Sequence, residues 1–232
     1  MSDITAHSRS TAVFDFDKTL IDRDVAYHFL SIAIKASKVR QMVAGMLTPL
    51  LLPFFLIRQT RIIAMSMMMW IATFPLHGKT PRNVFGSFAP RVGSPPINAR
   101  FYDEGLHALA AHRRLGHRLL IISGSPQELV RQVAQPVLER DIEIIGSPMV
   151  PFLGGLIYRS YCMGSAKIKR AKELGVLNDN WAYGYSDSAT DIPLLAHCRH
   201  RFLINPGKNT ILRTKAALDD RVTILRWTKN KP

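Results

Sequence analysis

Two short acidic clusters lie far apart in this chain, and each comes directly after an apolar run that is typical of a strand. Asp15 and Asp17 lie near the N-terminus, and Asp187 and Asp191 lie near the C-terminus. A helical pattern follows each cluster. In an open parallel α/β sheet, loops of this kind meet at the carboxyl ends of the strands, where ligands bind. We therefore expect both clusters to share one site, with oxygen ligands that suit a hard cation such as magnesium.

The N-terminal cluster places two carboxylates on one side of a strand end. Asp15 and Asp17 are separated by one residue, and side chains two positions apart on a strand point the same way. Thr19 follows at the same spacing. An Asp held beside a cation can attack a phosphoryl group and carry it as an aspartyl phosphate. Taken alone, the pattern Asp-x-Asp-x-Thr also fits a strand end that is merely acidic.

Two segments between the clusters have features of a phosphate site. An apolar run ends at Ser123 and Gly124, as a buried parallel strand would. A hydroxyl and free backbone N–H groups at a helix N-terminus suit a phosphate, although Ser before Gly is also ordinary turn chemistry. Lys167 lies at the start of a predicted helix, against the preference of the helix dipole. This position can be explained if Lys167 pairs with a phosphate or with the acidic cluster. The alternative is that Lys167 belongs to a solvated basic helix face.

The C-terminal cluster combines a strand end with the first turn of a helix. Asp187 ends the predicted strand, and Asp191 follows about one helical turn later on the same face. Both carboxylates can therefore face the same ligand. A helix cap at Asp187 or Ser188 is the alternative for this segment.

Together the four segments resemble the motifs of the haloacid dehalogenase (HAD) superfamily. The match consists of a strand with Asp-x-Asp-x-Thr at 15–19, a strand with Ser123, Lys167 at a helix start, and a strand with Asp-x3-Asp at 187–191. The resemblance covers nearly the whole chain. It implies an α/β fold with a HAD-like Rossmannoid parallel sheet flanked by helices, and a helical cap inserted after the first motif. It also implies a phosphatase.

The resemblance implies a chemical role for each matched residue. Asp15 is expected to be the nucleophile that forms an aspartyl phosphate. Asp17 is expected to be the general acid that protonates the leaving oxygen, and then the base that activates water. Ser123 and the Gly124 N–H are expected to hold phosphate oxygens, and Lys167 is expected to neutralise their charge.

The same resemblance implies a magnesium site. The Asp15 carboxylate, the Asp17 backbone carbonyl and Asp187 are expected to hold the ion. Asp191 is expected to orient the motif lysine or a metal-bound water, and Thr19 is expected to support the site. Phosphoryl transfer depends mainly on positioning and charge neutralisation, and a metal ion contributes to both.

The long interval before Ser123 resembles the phosphoserine-phosphatase-like branch of the superfamily. Three departures argue against phosphoserine as the substrate. Ser125 stands where that branch has a second Gly, and Thr190 stands where it has Asn. Asp24, a shorter acid, stands where the branch has the Glu that contacts the substrate amine.

A closer resemblance is to the bacterial phosphatidylglycerophosphatase C family. It rests on Gly-Ser-Pro-Gln at 124–127, Gly-Tyr-Ser-Asp-Ser at 184–188, Met-Trp-x-x-Thr-Phe at 69–74 and an apolar cap. It implies that the substrate is a phospholipid phosphomonoester such as phosphatidylglycerophosphate. The alternatives are a soluble small-molecule phosphatase of the phosphoserine phosphatase type, and a non-catalytic membrane- or nucleic-acid-binding protein on the same fold. The intact set of motif residues argues against the non-catalytic alternative.

Two uncharged segments characterise the predicted cap. Residues 41–57 and 62–78 contain no Asp, Glu, Lys or Arg, and each is at the lower length limit for crossing a bilayer. Pro49 and Pro53 are expected to interrupt or kink the first segment as a helix. Three arrangements remain open: a cap packed on itself, a hairpin within one leaflet, and a hairpin that spans the bilayer. The basic turn at Arg58–Arg61 disfavours the last.

The domain prediction follows from these segments: residues 1–22 and 103–232 form the core, and residues 23–102 form the cap. The chain has 31 Lys and Arg against 17 Asp and Glu, which gives a net charge of +14. These basic residues are scattered and no recognition motif stands out, so we expect no specific nucleic-acid partner. An anionic membrane surface suits the basic residues that flank the cap segments. The sequence defines no oligomeric state.

Cellular location is predicted from the N-terminus and the cysteines. Residues 1–10 are polar, and the apolar run after them contains two Asp residues, which is unlike a secretory signal. Cys162 and Cys198 lie in unrelated contexts, so no disulfide framework is expected. We expect the cytoplasm, or the cytoplasmic face of a bacterial inner membrane.

Apolar patterning and turn residues predict the remaining elements. These are helices at 103–115 and 126–139, strands at 142–145, 181–185, 201–204 and 222–227, a hairpin at 150–159 that turns at Gly154-Gly155, and a disordered basic end at 229–232. Pro136 is expected to bend or end the second of these helices.

Overall fold

A computed structural model describes six stretches of the chain: residues 9–57, 59–94, 97–139, 141–177, 181–219 and 221–228. Two features of the sequence predictions, Arg58 in the cap turn and the basic end at 229–232, lie outside the described residues. Within them, a parallel sheet with flanking helices carries a helical insertion after its first strand.

The core is a parallel β-sheet, as the sequence predicts. In chain order the strands are β1 (Thr11–Phe14), β2 (Arg118–Pro126), β3 (Glu143–Ser147), β4 (Met149–Phe152), β5 (Gly155–Tyr158), β6 (Trp181–Ser186), β7 (His200–Ile204) and β8 (Thr223–Leu225). Six of them pair in parallel in the order β3–β2–β1–β6–β7–β8, and β4 and β5 form a separate antiparallel hairpin. The central strand β1 is buried along its whole length, because a parallel sheet is covered on both faces. The predicted α/β fold class is confirmed.

The strand order reverses at β1, because β2 and β6 pair with its two edges. In a sheet of this kind, the loops on the two sides of the reversal leave a crevice at the carboxyl ends of the strands. Asp15 follows β1, Asp187 follows β6, and Ser123 lies in the last part of β2. The topology therefore brings the predicted motifs to one edge of the sheet.

The helices divide into a group that follows β1 and a group that flanks the sheet. In chain order they are α1 (Val25–Lys35), α2 (Lys38–Leu56), α3 (Arg61–Thr73), α4 (Pro81–Gly86), α5 (Asp103–Arg114), α6 (Gln127–Ala134), α7 (Ser165–Glu173), α8 (Ile192–Ala196) and α9 (Lys208–Ala217). Short 3₁₀ turns occur at Ala89–Arg91 and Ala189–Asp191. Helices α1 to α4 all lie within the predicted cap at 23–102. The boundaries at 22/23 and 102/103 stay a prediction.

Helix α2 runs without a break through both of its prolines. Pro49 and Pro53 lie inside the helix, which ends only at Leu56, so these prolines do not interrupt it; a kink at these residues stays a prediction. Each proline removes one backbone N–H donor. The two lie one turn apart, so the missing donors fall on the same side of the helix. Packing of α2 against α1 and α3 stabilises the helix despite this local cost.

Much of the apolar surface of α2 is exposed. In the described part of the chain, α2 is the one helix that is long and apolar enough to cross a membrane, judged by length and composition. Only 11% of its apolar 18-residue stretch is buried. Leu50 is 67% exposed and Leu56 is 82% exposed. Exposed apolar side chains in this number on one helix are uncommon on a monomeric protein in water.

Hydrogen bonds between the hairpin β4–β5 and α3 join the hairpin to the cap. The Leu156 N–H donates to the Thr73 hydroxyl at 2.8 Å, and the Tyr158 N–H donates to the Ser66 hydroxyl at 3.2 Å. The Trp70 indole donates to the Phe152 carbonyl at 3.0 Å. A segment that follows the third strand of the sheet therefore forms one layer with the cap helix.

The turn of this hairpin lies one residue earlier than the sequence predicts. Phe152 pairs with Gly155, and the two central residues, Leu153 and Gly154, have φ of +41° and +79°, as a two-residue hairpin turn requires. Gly155 is the first residue of β5 and not part of the turn, and its residue type is explained by the contact with Trp70 of α3. A Cβ at Gly155 would lie 2.6 Å from the Trp70 ring, so glycine permits the close approach of α3.

The other predicted elements are found with shifted ends. Helix α5 covers the predicted 103–115 to within one residue, and α6 ends at Ala134, two residues before Pro136. Strands β3, β6, β7 and β8 correspond to the remaining predicted strands. A proline in a helix interior removes one backbone hydrogen bond, and the end of α6 before Pro136 agrees with the expectation that this residue bends or ends the helix.

Candidate active site

Asp15 lies buried at the carboxyl edge of the sheet, directly after β1. Its backbone N–H continues the pairing with β6 by donating to the Tyr185 carbonyl at 2.9 Å. Its Oδ1 accepts a hydrogen bond from Lys167 Nζ at 2.6 Å, and its Oδ2 accepts one from the Thr19 hydroxyl at 3.1 Å. Burial raises the pKa of Asp15 to about 6, although the adjacent ammonium favours the ionised form.

Asp17 is held by three donors from two different layers of the protein. Its Oδ2 accepts from the Ser125 hydroxyl at 2.6 Å and from the Ser123 hydroxyl at 3.0 Å, and its Oδ1 accepts from the Val25 N–H at 2.8 Å. Burial raises the pKa of Asp17 to about 7, and the charge of Asp24 adds to the rise. A carboxyl group with a pKa near the working pH suits general acid–base catalysis.

Lys167 connects the two acidic clusters. It lies in the first turn of α7, and its Nζ donates to Asp15 Oδ1 at 2.6 Å and to Asp191 Oδ2 at 2.7 Å. Burial alone would lower the pKa of Lys167, but the two carboxylates outweigh this effect and raise it. The side chain is therefore a fixed positive charge. The sequence alternative of a solvated basic face does not describe Lys167, which is 3% exposed.

Asp187 and Asp191 line the same cavity as Asp15 and Asp17. We call these four carboxylates the acidic floor of the site. The Asp187 N–H donates to the Thr19 hydroxyl at 3.0 Å, so Thr19 bridges the N-terminal and C-terminal clusters. Burial raises the pKa of Asp187 to about 7, with further increases from the charges of Asp15 and Asp191. Asp191 Oδ2 also accepts from the Ser186 hydroxyl at 2.8 Å. In the described structure, Asp191 Oδ1 is buried and has no hydrogen-bond partner.

These residues fit a magnesium ion. The site contains four carboxylates, those of Asp15, Asp17, Asp187 and Asp191. One buried ammonium, that of Lys167, pairs with two of them, which leaves an excess of negative charge. The described residues contain no cluster of three His, Cys, Asp or Glu side chains that could hold a metal. Magnesium does not need such a cluster, because it takes one or two carboxylates and keeps several waters. The unpartnered Asp191 Oδ1 suits a contact with a metal-bound water.

A cavity of about 630 Å³ opens above this floor. Its polar part includes Asp15, Asp17, Gly124, Ser125, Lys167 and Asp187, and its apolar part includes Leu30, Ile34, Phe55, Met65 and Met68 from the cap helices. Tyr27, Ser31 and Thr48 of the cap also line the cavity, so the carboxylates lie at the base of a cavity whose upper wall is largely, but not wholly, apolar. Such a shape suits a molecule with a charged end and an apolar end.

Two predicted phosphate ligands differ in their placement. Gly124 lines the cavity, and its carbonyl accepts a hydrogen bond from the Ser147 hydroxyl at 2.6 Å. Ser123 is fully buried, does not line the cavity, and directs its hydroxyl to Asp17. Ser125 does line the cavity. The sequence analysis missed a role for Ser125, which the Ser-x-Ser spacing at the end of β2 could have indicated.

Asp24 has a structural role that accounts for its residue type. It is the N-cap of α1, and its carboxylate accepts from the Tyr27 N–H at 2.9 Å, as Asp commonly does at this position. Asp24 also lines the cavity. Its contact with a substrate group stays a prediction.

The family of the chain follows from a comparison of sequences. A profile of the haloacid dehalogenase-like hydrolases matches residues 12–196, which is most of the chain. The protein belongs to the haloacid dehalogenase-like hydrolase family. The matched range of this HAD protein begins within β1 and ends with α8, so it includes all the motif residues described above.

Individual relatives match this HAD protein at low sequence identity. A probable phosphatase of Mycobacterium tuberculosis is 27% identical over 124 residues, which is 50% of this chain and 41% of that protein. The crystal structure of a protein of unknown function from Bordetella pertussis has a TM-score of 0.67 at 18% identity, over 94% of this chain and 98% of that one. A phospho-aspartyl intermediate analogue of phosphoserine phosphatase has a TM-score of 0.55 at 13% identity, over 93% of both chains. The HAD protein thus spans about two fifths of the curated relative it matches, and the solved structures support its fold.

Proposed function

We propose that this HAD protein is a magnesium-dependent phosphomonoester hydrolase that acts through an aspartyl phosphate on Asp15. The observation that carries the proposal is the arrangement at the cavity floor. A buried Asp15 carboxylate is fixed by Lys167 and Thr19, and the Asp17 carboxyl group lies two residues away at the same strand end. The relative named as a probable phosphatase supports this class of reaction.

In the first step a carboxylate oxygen of Asp15 attacks phosphorus, and the bond from phosphorus to the ester oxygen breaks. Asp17 transfers its proton to that oxygen, so the alcohol leaves uncharged. In the second step the ionised Asp17 takes a proton from water as the water oxygen attacks the phosphorus. Inorganic phosphate leaves and the Asp15 carboxylate is restored. General acid–base catalysis of this kind contributes about 10²- to 10⁴-fold.

Charge on the phosphoryl oxygens requires fixed positive partners. Lys167 is already held at the floor by two carboxylates, so it needs no reorganisation to face the phosphate. Ser125 and the Gly124 N–H are further donors for phosphate oxygens, and Ser123 holds Asp17 from the buried side. Magnesium, when bound to Asp15, the Asp17 carbonyl and Asp187, would neutralise charge on the transferred group.

The apolar upper wall supports a phospholipid phosphomonoester, such as phosphatidylglycerophosphate, as the substrate. Phe55, Met65 and Met68 come from the cap helices that form this wall. Apolar surface binds acyl chains at about 0.8 kcal/mol per buried methylene, and binding energy from a remote part of a substrate can position its reacting group. Phosphoserine would instead bring an ammonium group and a carboxylate to this wall.

The exposed surface of α2 supports docking on an anionic membrane. Helix α2 is largely exposed and apolar. Basic residues lie next to the two uncharged cap segments in sequence, among them Lys35, Lys38, Arg61 and Lys79. An apolar face with basic residues at its border binds the interface of a membrane that contains anionic lipid. The proposed location is the cytoplasmic face of a bacterial inner membrane.

The test is phosphate release from phosphatidylglycerophosphate, phosphoserine and glucose 6-phosphate, each with and without detergent micelles. We expect kcat/KM for the lipid in micelles to exceed that for the soluble esters by orders of magnitude. A preference for a soluble ester under matched conditions would overturn the lipid assignment and leave the hydrolase proposal standing. No release from any ester by magnesium-loaded protein would overturn the hydrolase proposal itself.

A further inference from the structure

The hydroxyl of Tyr158 is a buried polar group that the chemistry proposed above does not use. Tyr158 ends β5 and is 4% exposed. Its ring lies edge-on to the Tyr161 ring, with 5.3 Å between the ring centroids. The hydroxyl has no hydrogen-bond partner among the described residues. A buried hydroxyl without a partner is costly and uncommon in native proteins, so a hydroxyl of this kind on a cavity wall is a candidate to bind a group that enters the cavity.

Tyr158 lies on the wall of the same cavity as Asp15 and Asp17. Burial raises the pKa of the Tyr158 phenol, and the charges of Tyr161, Asp24 and Asp17 raise it further. The phenol therefore stays protonated and can donate a hydrogen bond.

Tyr158 reaches the cavity from a different element than the residues at the carboxyl edge of the sheet. Its backbone N–H is bound to Ser66 of α3, so the residue belongs to the layer that the hairpin forms with the cap. Met65 and Met68 of the same helix line the cavity as well, and both are apolar. Donors for the phosphate lie at the carboxyl edge of the sheet instead, where Lys167 meets Asp15. Ser31, Thr48 and Tyr161 also line the cavity. Among the hydroxyls on its wall, that of Tyr158 is the one that is buried without a hydrogen-bond partner in the described structure.

We infer that Tyr158 is a substrate-positioning residue whose hydroxyl donates a hydrogen bond to an oxygen in the alcohol part of the phosphomonoester. The inference rests on the proposed hydrolase function and deepens it. It assigns preference to esters of polyhydric alcohols, such as glyceryl phosphates, over esters of simple alkyl alcohols. The discrimination comes from a residue outside the four motifs, on the hairpin that packs against the cap.

Two isosteric substitutions separate this role from simple packing. Tyr158→Phe keeps the buried ring and removes the hydroxyl. Thr11→Val is the matched control, because the Thr11 hydroxyl is also buried without a partner in the described structure. Thr11 begins β1, at the opposite end of that strand from Asp15. Each substitution removes an unpartnered hydroxyl, so each should raise Tm, by about 2–4 °C if the cost was near 1 kcal/mol.

The substrate readout uses two pairs of esters that differ in oxygen content. Glycerol 3-phosphate is compared with n-propyl phosphate in buffer, and oleoyl lysophosphatidate is compared with oleyl phosphate in the same micelles. We expect the parent protein to prefer the oxygen-rich member in the pair it hydrolyses better. Tyr158→Phe should reduce this preference by about 3- to 10-fold, in line with the loss of one hydrogen bond. Thr11→Val should leave the preference unchanged.

The outcomes distinguish this inference from the function on which it rests. Equal losses on both members of a pair, no preference in the parent protein, or a lower Tm for Tyr158→Phe would overturn the role of Tyr158 while the hydrolase proposal stands. Hydrolysis of the soluble pair alone would overturn the lipid assignment, and the soluble pair would then decide the role of Tyr158. No phosphate release from any of the four esters would overturn both the hydrolase proposal and the role of Tyr158.

Discussion

The backbone N–H of Val25 donates a hydrogen bond of 2.8 Å to Oδ1 of Asp17. Val25 is the first residue of α1, the first cap helix, and Asp17 is the proposed general acid. The other carboxylate oxygen of Asp17 is held by Ser123 and Ser125 from β2. The orientation of this carboxyl group therefore depends on both the sheet and the cap. A change in the position of the cap would change the orientation of the Asp17 carboxyl group.

The first prediction concerns the two N-terminal carboxylates. Asp15→Asn should abolish phosphate release, because an amide of the same shape is a poor nucleophile. Asp17→Asn should lower kcat by about 10²- to 10⁴-fold, because it removes the general acid. Asp141→Asn, on an exposed ion pair with Arg113, should leave activity unchanged. Phosphate release and Tm are measured for all three, and substantial turnover by folded Asp15→Asn protein would refute the mechanism.

The second prediction concerns the hydroxyl that bridges the two acidic clusters. Thr19 donates to Asp15 and accepts from the Asp187 N–H. Thr19→Val should destabilise the protein by about 1–3 kcal/mol, because it leaves buried partners unsatisfied, and it should also lower kcat. Thr11→Val removes a buried hydroxyl that lacks such partners in the described structure, so its effect on stability should have the opposite sign. Urea unfolding of both variants measures the difference, and changes of the same sign and size would contradict the prediction.

A third prediction concerns stability at acid pH. Burial, with a smaller effect from His117, lowers the pKa of His112 from 6.5 to about 4. The unfolded chain therefore binds the proton at a higher pH than the folded protein does. Stability from the neutral imidazole is complete above about pH 6.5 and is lost as the pH falls toward 4. The slope from this one group reaches about 1.4 kcal/mol per pH unit.

The contribution of His112 is isolated by comparing unfolding free energies at several values of pH between 4 and 8. His112→Gln should flatten the acid side of the profile, because it removes the titrating group. His107→Gln, an exposed position on the same helix, should keep the profile of the parent protein. If both variants lose stability in acid as the parent does, other groups dominate the acid response.

Sequence patterns predicted those parts of the site that follow from the position of a residue directly after a strand. Asp15 and Asp187 each follow an apolar strand, and parallel strands present their carboxyl ends at one edge of a sheet. The meeting of these residues near Lys167 was therefore predictable without any knowledge of the cap. The HAD family match extends over the same motifs.

Features that depend on long-range packing could not be predicted in the same way. Pro49 and Pro53 indicated an interrupted or kinked helix, but α2 is continuous through both residues and packs against neighbouring helices. Tyr158 reaches the cavity wall because its strand packs on α3, about 90 residues earlier in the chain. The period of a strand defines which face a residue occupies, but it does not define what that face will contact.

The fourth prediction is a requirement for magnesium. Chelation with EDTA should stop phosphate release, and added magnesium should restore it. Asp187→Ala should raise the magnesium concentration needed for half-maximal activity or eliminate activity, because it removes a proposed ligand. Tm should rise with magnesium in the parent protein, since a ligand that binds the folded state stabilises it, and this rise should be smaller in Asp187→Ala. Full activity of metal-free protein would contradict the proposed site.

The fifth prediction is that the exposed face of α2 binds anionic membranes. Leu50→Asp should reduce sedimentation with vesicles that contain phosphatidylglycerol, because it places a charge within the apolar surface and repels anionic lipid. Leu212→Asp is the matched control, since Leu212 is also 67% exposed but lies on α9 of the core. Binding of the parent protein should weaken with salt, because surface charge interactions are screened beyond about 8–10 Å at physiological ionic strength. Equal partition of the two variants, or no binding by the parent protein, would show that α2 is not a membrane-docking surface.

The activity of Leu50→Asp on a soluble ester should match that of the parent protein, because Leu50 does not line the catalytic cavity. A loss of activity that is confined to lipid in vesicles would therefore identify membrane docking as the step affected.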